Sequence, residues 1–361
     1  MRIIAIALLL ATLSFGLAAQ ESPNSGNPEE ADRGIIPIPA LGYTPETGFI
    51  LGVAAIYFSV PAGTDDALQT TNIGANLLYG TVGFFNLGLS AEMPVREDRF
   101  YFEGGLGISR ANREYFGLGL EDDGVEEFTQ FQVGANGALL YRVTPNFRIG
   151  PSYRIDYVEV LENESGGKLE DDAVEGTDWA LLSGPGVRAA YDTRSSTFFP
   201  RRGVYVTANS SVSTEVLGAS STFGRTTLDA RGYREIFPDG IVAGQARFSA
   251  AYGGTPFQYL PFLGGQNELR GFIEGEIRDN VTVLTQGEFR FPIAWRFSGV
   301  AFFGVGTSGE DLGSILWDEL QPAGGGGLRF ALNPEQDINL RLDFAHNGRD
   351  LAVYFGFGEA F

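Results

Sequence analysis

Residues that could do covalent chemistry are scarce in this sequence of 361 residues. The chain has no cysteine, which excludes disulfides and thiolate chemistry, and its single histidine is His346. A hydrolase or acyltransferase needs a serine beside a histidine and a third group that orients it. No serine lies near His346 in the sequence Ala345-His346-Asn347-Gly348. We therefore predict that the protein is not an enzyme, that His346 is a surface residue and that no cofactor is bound.

Arginine supplies nearly all of the positive charge, because the 25 basic residues include only one lysine, Lys168. In residues 281–292, Glu288 and Arg290 alternate with apolar side chains, and Arg341 and Asp343 do so in residues 338–344. Side chains at alternate positions of a strand point to the same face. An arginine facing lipid at mid-depth costs roughly 2–4 kcal/mol, so we predict that these charges face an enclosed interior. The arginines predicted to face inward are Arg148, Arg154, Arg188, Arg247, Arg290, Arg329 and Arg341.

The elements that position these charges are short strands. About sixteen segments of roughly ten residues show the alternation, and an even number allows an antiparallel sheet to close on itself. Closure is required because an open edge in hydrocarbon would leave backbone groups unpaired. We therefore predict an all-β protein, a closed antiparallel transmembrane β-barrel over residues 35–361. No apolar run long enough for a membrane-spanning helix occurs in that range.

The first 34 residues have a different character. Residues 1–19 combine a positive start with an apolar run that ends in small residues, which is typical of a signal peptide. Residues 20–34 are polar and rich in proline, asparagine and glutamate, and we predict a flexible periplasmic leader. Export of a barrel predicts that the protein is integral to the outer membrane of a Gram-negative-type bacterium.

The formal net charge of -20 opposes binding to nucleic acid phosphates. The acidic residues cluster within 65–66, 121–127 and 170–175. We predict that these clusters belong to solvated loops, because none has the spacing of metal ligands.

One loop segment carries a family resemblance. Residues 263–273 contain Leu269-Arg270-Gly271-Phe272, which resembles the (V/I/L)-R-G-(F/Y) motif of the outer-membrane insertase and secretion-pore superfamily. This superfamily, also called the bacterial surface antigen family, includes BamA, TamA and the two-partner secretion transporters. The strand count independently places residues 254–279 in the sixth outer loop, where the family carries this motif.

Three further segments resemble the family in the same order. The stretch that contains Asp192, Arg194, Pro200 and Gly203 resembles its D-x-R…F-P-x-x-G periplasmic turn. Residues 38–48 resemble its first hairpin and residues 286–292 its twelfth strand. The last segment, with Phe355, Phe357 and Phe361 on an alternating strand, resembles the signal that the outer-membrane assembly machinery reads.

The resemblance implies that the sixth outer loop folds into the lumen, where Arg270 meets carboxylates of the barrel wall. Glu288 is the family-matched partner, Gly271 allows a tight turn, and Phe272 would pack in the lumen. The family's thirteenth strand often adds an aspartate in the pattern Phe-Phe-x-Asp-x-Gly. Here the matching residues are Phe302-Phe303-Gly304-Val305-Gly306, so we name Asp343 as the candidate replacement.

The function implied by the resemblance is assistance to protein, or lipid, insertion or translocation at the outer membrane. Family members that do this carry POTRA domains before the barrel, so we expect a separate periplasmic or POTRA-bearing partner. Other expected partners are outer-membrane lipids, including lipopolysaccharide, and the assembly machinery. A seam between the first and last strands, weakened by Gly356 and Gly358, would open to the membrane. The alternative is a passive diffusion porin with anion preference, since arginines line the lumen.

Overall fold

The computed structural model describes residues 32–60, 71–96, 99–120, 124–163, 167, 169, 175–197, 199–315, 317, 319–333 and 338–361. The predicted signal peptide, residues 20–31 of the predicted leader and the acidic residues 65–66, 121–123 and 170–174 lie outside the described residues. Within the described ranges no helix is long and apolar enough to cross a membrane.

Sixteen strands form one closed antiparallel barrel, and two short strands pair with each other inside the connection that follows residue 253. The strands are β1 (Asp32–Thr44), β2 (Gly48–Val60), β3 (Thr71–Gly80), β4 (Phe85–Val95), β5 (Phe100–Tyr115), β6 (Glu126–Thr144), β7 (Phe147–Asn163), β8 (Trp179–Asp192), β9 (Gly203–Ser213), β10 (Phe223–Phe237), β11 (Gly240–Gly253), β12 (Phe262–Leu263), β13 (Ile277–Arg278), β14 (Val281–Ala294), β15 (Phe297–Gly309), β16 (Gln321–Asn333), β17 (Ile338–His346) and β18 (Leu351–Phe357).

The predicted closed all-β barrel is confirmed, and the alternation of side chains explains why these segments form it. Leu77 and Leu228 are exposed on the outer face, 47% and 46% respectively, whereas Arg341 and Asp343 are buried inside. The interior is therefore polar and charged, and the surface left to the surroundings is apolar, as a bilayer requires.

Both ends of the barrel differ from expectation by a few residues. β1 begins at Asp32, so the stretch from Asp32 to Gly34, which we assigned to the leader, belongs to the first strand. Its backbone continues the ladder with β2 from Asp32↔Val60 to Gly34↔Phe58. The polar composition of the leader does not reveal this pairing, because backbone groups rather than side chains make it.

The last strand is shorter than predicted. β18 ends at Phe357, and Gly358 adopts a left-handed conformation with φ 75° that turns the chain inward. Phe361, which we placed on the final strand, instead lies inside the barrel in an apolar cluster with Tyr233 and Ala243. Phe355 and Phe357 stay on the strand. We call residues 358–361 the inward tail.

The alternation gives a direct test of which face meets lipid. Leu77→Arg on β3 is expected to lower the free energy of unfolding by roughly 2–4 kcal/mol, because it places a charge in hydrocarbon. Asn76→Arg changes the neighbouring residue, which lines a polar cavity of the lumen, and should cost less. Urea unfolding in liposomes measures both, and equal losses would contradict the assignment of faces.

Candidate functional site

The connection between β11 and β14, residues 254–280, forms a folded element that we call loop 6. It contains a short helical turn, Phe257–Tyr259, and the β12–β13 hairpin. The hydroxyl of Tyr259 donates to the carbonyl of Asp156 on β7 at 2.5 Å. Arg278 Nη1 donates to the carbonyl of Phe257 at 2.7 Å within the loop. Loop 6 is therefore held both by a hydrogen bond within the loop and by a hydrogen bond to β7 of the barrel wall.

An apolar cluster fixes the part of loop 6 that carries the Arg-Gly-Phe motif. Loop residues Leu263, Leu269, Phe272 and Ile277 pack against Leu284 of β14 and Ala323 of β16. Apolar packing of this kind leaves the loop one well-defined position against the wall.

Burial in the same loop lowers the pKa of Arg278 to about 10, and the nearby charge of Arg113 adds to the effect.

The side chain of Arg270 is almost fully buried, with the residue 2% exposed. Its Nη1 donates to Asp343 Oδ2 on β17 at 2.6 Å, and its Nη2 donates to Glu288 Oε1 on β14. The guanidinium carbon lies 3.6 Å from the centroid of the Phe302 ring on β15. Two carboxylates and one aromatic face from three strands thus hold one loop residue.

Phe302 occupies the stretch in which the resembling family often places an aspartate. Here that stretch supplies a ring that stacks on Arg270, and the second carboxylate comes from Asp343 two strands away. The guanidinium plane suits this arrangement, because it bonds at its edge and stacks on its face.

The contacts of Arg270 belong to a closed ring of buried ion pairs in which cations and anions alternate. No side chain of this ring is more than 3% exposed. In order around the ring, the members are Arg270, Glu288, Arg290, Glu359, Arg329 and Asp343. We call it the charge ring.

Glu359, from the inward tail, completes the charge ring. Its Oε2 lies 2.8 Å from Arg329 Nε and 3.7 Å from Arg290 Nε. Arg329 Nη1 reaches Asp343 Oδ1 at 2.5 Å, and Arg290 Nη2 reaches Glu288 Oε2 at 2.8 Å. The ring itself thus has three guanidiniums and three carboxylates, and a fourth buried guanidinium, Arg341, lies 3.8 Å from Asp343 Oδ2 beside it. Loop 6 is linked to the tail through the barrel wall.

The tip of the motif also contacts the last strand. Gly271 N–H donates to Tyr354 Oη at 3.2 Å, and the Tyr354 hydroxyl donates to the carbonyl of Phe272 at 3.3 Å. Gly271 has φ 117°, and a Cβ there would lie 3.2 Å from the carbonyl carbon of His346. Glycine is needed at this position both for the backbone angle and for the close approach.

The residues predicted to form the periplasmic turn make a separate cluster outside the charge ring. Arg194 Nη2 donates to Asp192 Oδ2 at 2.7 Å, and its guanidinium lies 3.9 Å from the Tyr205 ring centroid. Gly203 has φ 110°, and an added Cβ would lie 2.2 Å from the carbonyl oxygen of Thr193. Pro200 is buried in the same turn.

Sequence reasoning missed two residues of the site, Glu359 and Tyr354. The sequence pattern predicts Glu359 as part of the alternating last strand, whereas the turn at Gly358 directs it into the lumen. The sequence gives no signal that distinguishes Tyr354 from the other aromatic residues of the last segment. His346 lies at the end of β17 with an exposed side chain, and its Nδ1 is 2.6 Å from the carbonyl oxygen of Asp350.

A closed barrel of sixteen strands with a long loop bonded to its inner wall defines a class of transmembrane barrel whose lumen holds part of its own chain. Residues 69–361 match the Omp85 superfamily domain, and the chain belongs to this superfamily. The family predicted from the motifs is therefore confirmed.

Solved structures show the same fold at low sequence identity. BamA from Haemophilus ducreyi lacking POTRA domains 1-3 gives a TM-score of 0.59 at 14% identity, over 91% of this chain and 71% of that one. CdiB from Acinetobacter baumannii gives 0.56 at 11%, over 91% and 65%. CdiB from Escherichia coli gives 0.59 at 11%, over 90% and 62%. The chain thus spans less than two thirds of either CdiB chain. No curated protein matches it in sequence.

The charge ring predicts a large cost for removing its loop cation. Arg270→Ala should lower the free energy of unfolding by about 3–5 kcal/mol, because Glu288 and Asp343 stay buried without their shared partner. Chemical unfolding in detergent micelles measures the loss.

Arg113→Ala is the matched control. Arg113 also bonds loop 6, through Glu274 at 2.6 Å, but the two side chains are 29% and 39% exposed. Its loss should cost about 0–1 kcal/mol. A similar cost for both variants would show that burial of the charge ring contributes nothing.

Proposed function

We propose that this protein assists the insertion or translocation of proteins, or of lipids, at the outer membrane through a seam between β1 and β18. Loop 6 is the plug of the lumen in this proposal. Membership of a superfamily of outer-membrane barrels supports the location. The observation that carries the mechanism is the short pairing of the first and last strands.

The register between β1 and β18 comprises a single pair, Tyr43↔Phe355, among the described residues. By contrast, β1 pairs with β2 along its whole length, from Asp32↔Val60 to Thr44↔Gly48. Each missing ladder bond lowers the cost of separating two strands. The seam is therefore the place at which this barrel opens most easily.

Two prolines keep the edge of β1 from forming a longer ladder. The register with β2 runs without interruption through Pro37↔Ala55 and Pro39↔Val53, although proline has no N–H to donate. The proline nitrogens therefore point away from β2, towards the seam. Prolines at an edge prevent full pairing with a neighbouring strand.

The inward tail removes the possible partners of those prolines. If β18 continued from Tyr43↔Phe355 in the same register, Glu359 would lie opposite Pro39, and Phe361 opposite Pro37. Instead, Glu359 joins the charge ring and Phe361 packs inside the barrel. Hence the ion pairs that hold loop 6 also hold the tail away from the seam.

The barrel is also proposed to have partners in the membrane and in the periplasm. The exposed apolar belt is expected to contact outer-membrane lipids, including lipopolysaccharide, and Phe355 and Phe357 are expected to serve recognition by the assembly machinery. We also propose that a separate periplasmic or POTRA-bearing partner delivers the substrates. The proposal includes no catalytic step and no cofactor.

The diffusion-porin alternative has one observation in its favour. Polar cavities follow the wall of β3 to β11, opposite the charge ring, and adjacent cavities share lining residues. Asn136 and Arg154 line two of them, and Glu92 and Glu103 line the next pair. A hydrated path past loop 6 would let small solutes through without any opening of the seam.

A disulfide across the seam tests the main proposal. Tyr43→Cys with Phe355→Cys joins residues that lie directly opposite each other. Oxidation should reduce the insertion of an unfolded outer-membrane barrel protein into liposomes that contain this protein, and reduction of the disulfide should restore it. The measurement is the fraction of reporter that becomes protease-resistant with time.

The control keeps Phe355→Cys and moves its partner to Leu342→Cys, on the other side of β18. This disulfide also joins directly opposite residues of antiparallel strands but leaves the seam free, so insertion should continue. If oxidised and reduced seam variants insert the reporter equally well, the seam mechanism is wrong.

Conductance in planar bilayers separates a plugged barrel from a porin. A plugged barrel should conduct little, and Arg270→Ala should raise its conductance because loop 6 loses its tie to β14 and β17. A porin should show a large and steady conductance that Arg270→Ala leaves unchanged. Circular dichroism of the variant establishes that the barrel is still formed.

A further inference from the structure

The lumen has a second arginine-rich region that the charge ring does not include. A cavity of about 580 Å³ lies on the inner wall formed by β4 to β11. Four arginines, Arg154, Arg188, Arg225 and Arg247, line it against two carboxylates. Cations therefore outnumber anions on its walls, although the protein as a whole is strongly acidic.

The cavity exists because small inward residues lie side by side on neighbouring strands. Ser152, Gly186 and Ser211 follow one another across β7, β8 and β9, and Arg225 of β10 ends the row. Small side chains leave the space in front of them unfilled. The sheet thus presents Arg225 at the edge of a polar recess instead of packing it against other side chains.

Most of the arginines in this region have a carboxylate of their own. Arg188 pairs with Glu103, and Arg247 pairs with Glu268 of loop 6. Arg154 Nη2 lies 2.5 Å from Asp156 Oδ2. These three cations hold their positions whether or not a ligand is present.

Arg225 is different, because among the described residues its side chain makes no hydrogen bond or ion pair. The charges of Arg154 and Arg247 repel it, and the charge of Asp156 attracts it more weakly than either repels it. A guanidinium has five N–H donors to satisfy, and a neighbouring anion would satisfy several of them at once. The geometry therefore leaves Arg225 without an ion pair among the described residues, in a polar cavity that Arg154 and Arg247 also line.

We propose that Arg225, with Arg154 and Arg247 beside it, binds a phosphate group in the lumen. A carboxylate offers two oxygens, which the fork of one guanidinium already satisfies, whereas a phosphate presents oxygens to several cations together. The ligand class is a small phosphorylated solute or the phosphate headgroup of a lipid. This inference does not depend on whether the seam opens.

The positions of the three arginines suit a ligand of this size. Arg225 and Arg247 lie on adjacent strands, where Arg225 is opposite Ala251 and Arg247 is opposite Asp229, an offset of about 13 Å along the strands. Arg154 lies three strands from Arg225, which is about 14 Å across the wall. The side chains of Ser211 and Thr227 line the same cavity and supply hydroxyl donors.

Titration followed by phosphorus NMR tests the site in the detergent-solubilised protein. The probes are inorganic phosphate, for a solute, and short-chain phosphatidic acid, for a lipid headgroup. At least one probe should show saturable binding to the wild type. Arg225→Gln should weaken that binding by about tenfold or more, since a charged hydrogen-bonding partner is lost.

Arg231→Gln is the matched control. It removes the same charge from the same strand, but Arg231 is held by Asp229 through two bonds of 3.0 Å and does not line this cavity. Arg154→Gln, on a different strand, should also weaken binding, so a folding defect confined to Arg225→Gln would not prevent a decision.

The two probes distinguish a solute site from a headgroup site. Saturation by phosphate supports a solute site, and saturation by phosphatidic acid alone supports a headgroup site. The proposal is overturned if neither probe saturates, or if Arg225→Gln and Arg154→Gln bind as the wild type does. It is also overturned if the control Arg231→Gln loses binding equally, because the effect would then reflect only the net charge of the lumen.

Discussion

Three guanidiniums and three carboxylates share an almost dry space between loop 6, the barrel wall and the inward tail. Taking such charges out of water costs several kcal/mol for each ion, and only well-placed opposite charges offset this cost. Every member of the charge ring has two neighbours of opposite sign, so no member leaves without exposing others. The position of the loop and the position of the tail are therefore parts of one electrostatic arrangement.

This arrangement connects the interior of the barrel to its closure. The tail residue Glu359 serves the charge ring only if the chain turns inward at Gly358, and that turn ends the ladder that β18 could offer to β1. Pro37 and Pro39 reduce what such a ladder would gain. The same inward turn therefore shortens the seam and supplies Glu359 to the charge ring, so the two features occur together.

The strands were predictable because lipid on one side and water on the other impose a period of two on every segment. The residues around Arg270 were partly predictable, since Glu288 and Asp343 lie at inward positions of alternating strands. The stacking of Phe302 and the hydrogen bonds of Tyr354 were not, because they depend on how far loop 6 reaches across the wall. Glu359 was beyond sequence reasoning, because one backbone angle at Gly358 decides its direction.

The two sides of the lumen differ in how their buried charges are paired. On the side of β14 to β18, loop 6 fills the space, and each buried charge meets another charge of the protein. On the side of β4 to β11, small residues in register leave a polar recess in front of the wall. Each cation of the charge ring lies between two carboxylates of the protein, whereas Arg225 on the second side has no ion pair among the described residues. An arginine that the fold has no need to neutralise is free to meet an anion from outside.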